Sequence, residues 1–165
     1  MPHNPGTSQC IPSPSRTTGP TRVTDADIRR IEKATGCPLP ESYAQLLLNF
    51  PPELTALLKL DPPDTRLLFT DAKTIVHWNK FFRAPDYEYE DSYGEMRKFP
   101  PSHIVIGANQ GGDFYHLNVK RKGTPVLIWE HDSGEIEKEA KDLPSYIRSI
   151  FSSAAMCALD RAGLG

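Results

Sequence analysis

Apolar residues between Ile104 and Ala140 occur in four short runs, and polar turn residues separate these runs. In the second run apolar and polar positions alternate, a pattern typical of a half-buried β-strand. The third run is apolar on both faces, as expected for a central strand. We predict strands at 104–108, 113–120, 125–131 and 135–140. The turns between them are short and contain Gly, Asn or Asp, so the strands are expected to form an antiparallel meander.

Before and after this region, apolar residues recur at helical spacing. The clearest case is Tyr43, Leu46, Leu47 and Phe50, at positions i, i+3, i+4 and i+7. Helices are predicted at about 24–36, 40–50, 54–60, 71–82 and 142–153, the first with a capping box at Thr24. In the last helix, the residues expected to point inward are Leu143, Ile147, Ile150 and Phe151.

Helices on both sides of a run of antiparallel strands predict an α+β fold. We expect the sheet to comprise the meander 104–140 and a short strand near 67–69, with helices packed on one face. Residues 1–23 are rich in Pro, Ser and Thr and have few branched aliphatic side chains, so they are predicted to form a disordered tail. The folded domain is expected over 24–153, and residues 154–165 are expected to fray.

Length, charge and cysteine content narrow the possible functions. The 165 residues are enough to bury a core without disulfides or metal, and the net charge of −2 disfavours direct binding to nucleic acid. Cys10, Cys37 and Cys157 are widely spaced and odd in number, which favours a reducing compartment. There is neither an apolar run of membrane-spanning length nor a signal-peptide core, so we expect a cytoplasmic protein that binds no membrane.

The segment 86–95 is the most unusual surface feature, with five acidic residues, three tyrosines and no basic residue. It is either a solvated loop or a recognition surface. Tyrosine provides a large contact area with few rotamers, and clustered carboxylates speed the encounter with a basic partner. A nuclease-type toxin domain would be such a partner, because its own substrate-binding groove is positively charged.

Two groups of motifs resemble the SUKH superfamily, which includes bacterial immunity proteins and fungal cell-wall assembly regulators of the Smi/Knr type. The first group is GANQGGDFY at 107–115, followed by Pro125-Val126, Trp129 and His131-Asp132. The second is Ile31-Glu32, LPESY at 39–43 and Leu46-Leu47. Together they extend the resemblance over about residues 25–152.

The resemblance implies a protein-binding domain without catalytic residues or a cofactor. The leading hypothesis is an immunity protein that binds and neutralises a cognate toxin, and the alternative is an intracellular scaffold or regulator of the cell-wall-assembly type. The oligomeric state is left open. The predicted partner-binding residues lie in the acidic segment and in the turn after the first strand of the meander: Asp86, Tyr87, Glu88, Tyr89, Glu90, Asp91, Tyr93, Asn109, Gln110 and Asp113.

Other chemistries are weaker interpretations of the same residues. A metal-dependent hydrolase centred on Asp113 and His131 is one such interpretation, with His116 and Asp132 as further candidate ligands. Asp113 and His116 are three positions apart on one strand, however, so their side chains are expected on opposite faces. We expect His116 at the surface and His131 partly buried near a turn. The glycines at 107, 111 and 112 lack the Lys-Ser/Thr and the helix of a phosphate-binding loop.

Overall fold

The computed structural model describes residues 22–62 and 65–161, with side chains described as far as residue 156. Residues 1–21 of the predicted tail therefore lie outside the described residues, and so do residues 162–165. No helix in the described ranges has the length and apolar character needed to cross a bilayer. The elements in chain order are helices α1 (Asp25–Thr35), α2 (Glu41–Leu48), α3 (Pro52–Leu58) and α4 (Ala72–Phe82), strands β1 (Tyr89–Glu90), β2 (Met96–Arg97), β3 (His103–Ala108), β4 (Phe114–Asn118), β5 (Val126–Trp129) and β6 (Ile136–Ala140), and helix α5 (Leu143–Arg161).

The α+β class and the meander are confirmed. Strands β3, β4, β5 and β6 form one antiparallel sheet in that order, with β6 at an edge, and β1 and β2 form a separate hairpin.

Local sequence signals explain where the helices begin and end. The Thr24 hydroxyl accepts a hydrogen bond from the backbone N–H of Asp27, and Gly36 ends α1 with a left-handed φ of 69°. The Asp71 carboxylate caps α4 by accepting from the backbone N–H of Thr74 at 2.8 Å.

Helices contact both faces of the meander, whereas the sequence predicted packing on one face. Trp78 of α4 packs against Phe114 with ring centroids 4.6 Å apart, and Tyr146 of α5 packs against Tyr115 at 5.2 Å. Phe114 and Tyr115 are adjacent in β4 and therefore point to opposite sides. The physical reason is that β3 and β4 are buried on both sides: every residue of β3 and the first four residues of β4 are buried.

The segment 66–69 lies beside β3 but does not form the predicted strand. Its two hydrogen bonds to β3 run from Phe69 N to the Ile106 carbonyl (2.7 Å) and from Ala108 N to the Arg66 carbonyl (2.8 Å). Between them, the Leu67 carbonyl turns towards α5 and accepts from the Tyr146 hydroxyl at 2.7 Å. The Leu67 carbonyl also occupies the space that a side chain at Gly107 would need, so the ladder is interrupted there.

In α5 the buried face is set by Leu143, Tyr146 and Ile150. Phe151, which the sequence placed inward, is 40% exposed, whereas Tyr146, which was not among the predicted inward residues, is buried against Tyr115. The helix continues to Arg161.

At the other end of the domain, Val23 is buried, and the Arg22 guanidinium donates to the Leu48 carbonyl at 2.9 Å. Residues 22 and 23, the first two that the structure describes, therefore already contact the domain.

His116 is completely buried, contrary to the expectation that it lies at the surface. It shares the face of β4 that carries Phe114, and this face is covered by α4 and by Phe99. Its ring lies 4.6 Å from that of His103, which is also buried. Both nitrogens of His116 and Nδ1 of His103 have no hydrogen-bond partner among the described residues.

Acidification should destabilise the fold through these two histidines. Burial, with Arg121 and Arg83 nearby, lowers the pKa of His103 to about 4, and burial beside His103 holds the pKa of His116 well below its usual value. The unfolded chain therefore takes up protons first as the pH falls below about 6.5. We expect the free energy of unfolding to decrease between pH 7 and 5, by up to about 1.4 kcal/mol per pH unit for each histidine.

Urea unfolding at pH 7, 6 and 5 measures this dependence. The variant His116→Leu should show about half the slope of the wild type, because one of the two buried histidines is removed. The variant His77→Gln, changed at an exposed histidine of α4, should keep the wild-type slope. An unchanged slope in His116→Leu would show that the buried pair is not responsible.

Candidate functional site

The acidic segment 86–95 includes strand β1 and the turn that joins it to β2, and Asp91 organises this turn. One carboxylate oxygen of Asp91 accepts from the backbone N–H groups of Tyr93 and Glu95, each at 3.0 Å, and the other accepts from Nε of Arg97 at 2.8 Å. The hydrogen bond from Arg97, followed by that from Glu95 N–H, lowers the pKa of Asp91. We call residues 86–97 the acidic hairpin.

The turns 109–113 and 130–135 lie at the same end of the meander, and their side chains meet. The backbone N–H of His131 donates to Oδ1 of Asp113 at 3.1 Å, and Nδ1 of His131 lies 3.2 Å from the same oxygen. Nε2 of His131 lies 2.9 Å from Oδ1 of Asp132. Partial burial raises the pKa of Asp113, but hydrogen bonds from Asn109 and His131 outweigh it, so the pKa is lower than usual.

The acidic hairpin packs against the turn 130–135. Gly134 has a φ of 67°, and a side chain there would collide with the backbone of Glu90 and Asp91. A groove of about 670 Å³ lies between the two segments, lined by Glu90, Asp91, Asp132, His131 and their neighbours. We call the acidic hairpin, the two turns and this groove the sheet-end surface.

The three tyrosines of the acidic hairpin have different environments. The Tyr87 ring packs on Phe81 and Phe82, and burial raises its pKa to about 12. Tyr89 packs on Trp129 with ring centroids 5.5 Å apart. Tyr93 at the tip is 88% exposed. Two tyrosines therefore anchor the hairpin on the aromatic core, and the third projects into solvent.

The sheet-end surface carries a strong excess of negative charge. Arg97 pairs with Asp91 at 2.8 Å and with Glu95 at 3.0 Å, and Lys98 lies 4.0 Å from Glu88. These exposed pairs offset only part of the charge. The carboxylates in the hairpin and the two turns are Asp86, Glu88, Glu90, Asp91, Glu95, Asp113, Glu130, Asp132 and Glu135. Together they give this surface a negative electrostatic potential.

The remaining predicted residues lie at the side of the turn 109–113. Asn109 closes this turn, since its Nδ2 donates to Asp113 Oδ2 at 2.8 Å and its Oδ1 accepts from Asp113 N at 3.0 Å. Gln110 is exposed, and its amide donates to Asp61 at 2.9 Å. The structure thus joins Asp113 to His131, which lines the same groove as Glu90 and Asp91, whereas Gln110 points towards the segment after α3.

The residues of the metal-hydrolase hypothesis are only partly brought together. Asp113, His131 and Asp132 are neighbours, while His116 is buried beneath α4 with His103. Among the described residues, no group of three or more His, Cys, Asp or Glu side chains has an arrangement suited to a metal ion. Each ring nitrogen of His131 already faces a carboxylate oxygen, so the arrangement holds the turns together.

His131 and Asp132 were not among the predicted partner-binding residues. Asp132 is 90% exposed at its side chain and lines the same groove as Glu90. The predicted meander could have indicated that these two residues belong to the site. Its first and third turns must lie at the same end of the sheet, so 130–135 lies beside 109–113. The position of the hairpin against them depends on contacts between segments distant in sequence.

Comparison with known proteins identifies the family. Neither a curated protein nor a solved structure matches the chain. A model of the SMI1/KNR4 family (SUKH-1) matches residues 22–149, a range that contains the acidic hairpin, both turns and the whole meander. The resemblance inferred from the motifs is confirmed. The chain belongs to the SMI1/KNR4 family (SUKH-1), whose members are generally non-enzymatic immunity or regulatory domains.

Proposed function

We propose that this protein is an immunity protein that binds a cognate toxin domain in the cytoplasm and neutralises it without catalysis. The observation that carries the proposal is the concentration of carboxylates at the sheet-end surface, in a chain of a family of immunity and regulatory domains. A toxin that cleaves nucleic acid needs a basic groove for the phosphate backbone. Such a groove is complementary in charge to the sheet-end surface.

Different parts of the surface would contribute differently to binding. The exposed carboxylates of Glu90 and Asp132 flank a concave groove and would pair with lysine or arginine of the toxin. Tyr93 adds an exposed aromatic side chain, the type most often found at energetic hot spots. The hairpin is held from below by Tyr87 and Tyr89, so little ordering is needed on binding.

Binding to the toxin domain encoded beside this chain tests the proposal. Isothermal titration calorimetry should give a dissociation constant of about nanomolar, as is common for interfaces of standard size. Stopped-flow association should slow markedly as salt increases, because screening weakens long-range attraction. If none of the neighbouring toxin domains binds, the immunity hypothesis fails.

The alternative is a scaffold or regulator of the cell-wall-assembly type, in which the segment before the matched domain makes extra contacts. The family match includes regulatory domains and begins at residue 22, after the proline-rich segment 1–21. Deleting residues 1–21 leaves Arg22 and Val23, which contact the domain, in place. We expect toxin affinity to remain within about twofold of the full chain, because this segment contributes none of the sheet-end charges. A full chain that binds no toxin domain, and that loses a different protein partner when residues 1–21 are deleted, would favour the scaffold hypothesis.

A further inference from the structure

A second concave surface lies between α2, α3 and the segment before α4, and it shares no lining residue with the sheet-end groove. Its volume is about 570 Å³, within the range of small-molecule sites. Its lining combines apolar side chains, among them Val23, Leu47 and Phe50, with three cationic ones, Arg22, Lys59 and Arg66. We call it the cationic groove.

Both guanidinium groups of this groove are held by uncharged acceptors. Arg22 donates from Nε to the Leu48 carbonyl at 2.9 Å and from Nη2 to Asn49 Oδ1 at 3.0 Å. Arg66 donates from Nε to the Asp61 carbonyl and from Nη1 to Thr70 Oγ1, each at 3.2 Å. A guanidinium has five N–H donors, so each keeps others for a ligand.

The positive charge of the groove is not cancelled within the described residues. Neither guanidinium forms an ion pair with a described carboxylate, and the same holds for Lys59. Asp71 also lines the groove, but its two oxygens accept from the backbone N–H and the hydroxyl of Thr74, each at 2.8 Å. This carboxylate is committed to capping α4.

We propose that the cationic groove binds a small amphipathic anion, with one phosphate or carboxylate attached to an apolar chain or ring. Arginine matches the geometry of both anionic groups and holds them by charge-assisted hydrogen bonds. The apolar lining accounts for the second half of the ligand, because a site for a bare anion gains nothing from apolar side chains such as the half-buried Phe50. This proposal does not depend on toxin binding.

Titration of the full chain with hexyl phosphate, followed by ¹⁵N–¹H NMR, tests the proposal. We expect saturable shifts at the groove residues, with hexanol and inorganic phosphate each binding at least about tenfold more weakly. A parallel titration with hexanoate distinguishes a phosphate from a carboxylate ligand. Equal binding of hexanol, equal binding of inorganic phosphate, or shifts outside the groove would each overturn the proposal.

Variants separate the charge of the groove from its shape. Arg22→Gln and Arg66→Gln should each weaken hexyl phosphate about tenfold, since each removes charge-assisted hydrogen bonds. Lys59 is exposed, and its side chain makes no hydrogen bond to a described residue, so Lys59→Gln should fold normally and still weaken binding. The matched control is Lys73→Gln, at an exposed position of α4. If Lys59→Gln binds as tightly as this control, or if raising the protein concentration alone shifts the groove residues, the proposal is wrong.

Discussion

Replacing Asn79 by alanine is expected to lower the free energy of unfolding by about 3 to 5 kcal/mol. This asparagine is completely buried, and its amide joins α4 to the edge of the meander. Its Nδ2 donates to the carbonyls of Ile75 (2.9 Å) and Val105 (2.8 Å), and its Oδ1 accepts from Val105 N at 3.0 Å. Alanine would leave the backbone N–H and C=O of Val105 buried without partners, and each costs about 1 to 3 kcal/mol.

The neighbouring position in the same helix provides the control. Lys80→Ala also introduces an alanine in the same part of α4, but Lys80 is exposed. Urea unfolding of Lys80→Ala should therefore remain within about 0.5 kcal/mol of the wild type. A loss below about 1 kcal/mol in Asn79→Ala would show that the edge of β3 does not depend on this amide.

Neutralising Glu90 and Asp132 together should weaken binding to a basic toxin domain by about 100-fold. Each is exposed and has no lysine or arginine partner among the described residues, so both charges are available to a partner. Coupling of close charge pairs across an interface is worth at least about 1.5 kcal/mol, and about 1.4 kcal/mol corresponds to a factor of ten in affinity. The double variant Glu90→Gln, Asp132→Asn would be compared with the wild type by calorimetry.

A second double variant separates local charge from net charge. Asp25→Asn with Glu53→Gln removes the same total charge at exposed first-turn positions of α1 and α3, outside the sheet-end surface. Its affinity for the toxin should change less than about threefold, since separated exposed charges are largely screened at physiological salt. Equal losses in the two double variants would show that net charge, and not the sheet-end surface, governs binding.

Features specified by neighbouring residues could be predicted from the sequence. The capping box at Thr24, the left-handed Gly36 and the four strands of the meander each depend on residues close together in the chain. Strand periodicity also placed Asp113 and His116 on different sides of the sheet. It could not say which side was covered, and for that reason His116 was expected at the surface although α4 and Phe99 bury it.

The candidate site was predicted in its parts but not in its assembly. The acidic segment and the turn 109–113 were visible as composition and turn residues. Their connection through His131, and the collision of any side chain at Gly134 with the hairpin, depend on packing between segments distant in sequence. Likewise, the tyrosines looked equivalent in the sequence, yet Trp129 and Phe82 bury Tyr89 and Tyr87 in part while Tyr93 stays exposed.

Hydrogen exchange of the full chain, with and without its cognate toxin domain, tests the central proposal most directly. If the sheet-end surface docks the toxin, protection should increase in the acidic hairpin, 86–97, and in the turns 109–113 and 130–135. The cationic groove should exchange as in the free protein. Protection confined to other segments, with the hairpin and both turns unchanged, would contradict the account.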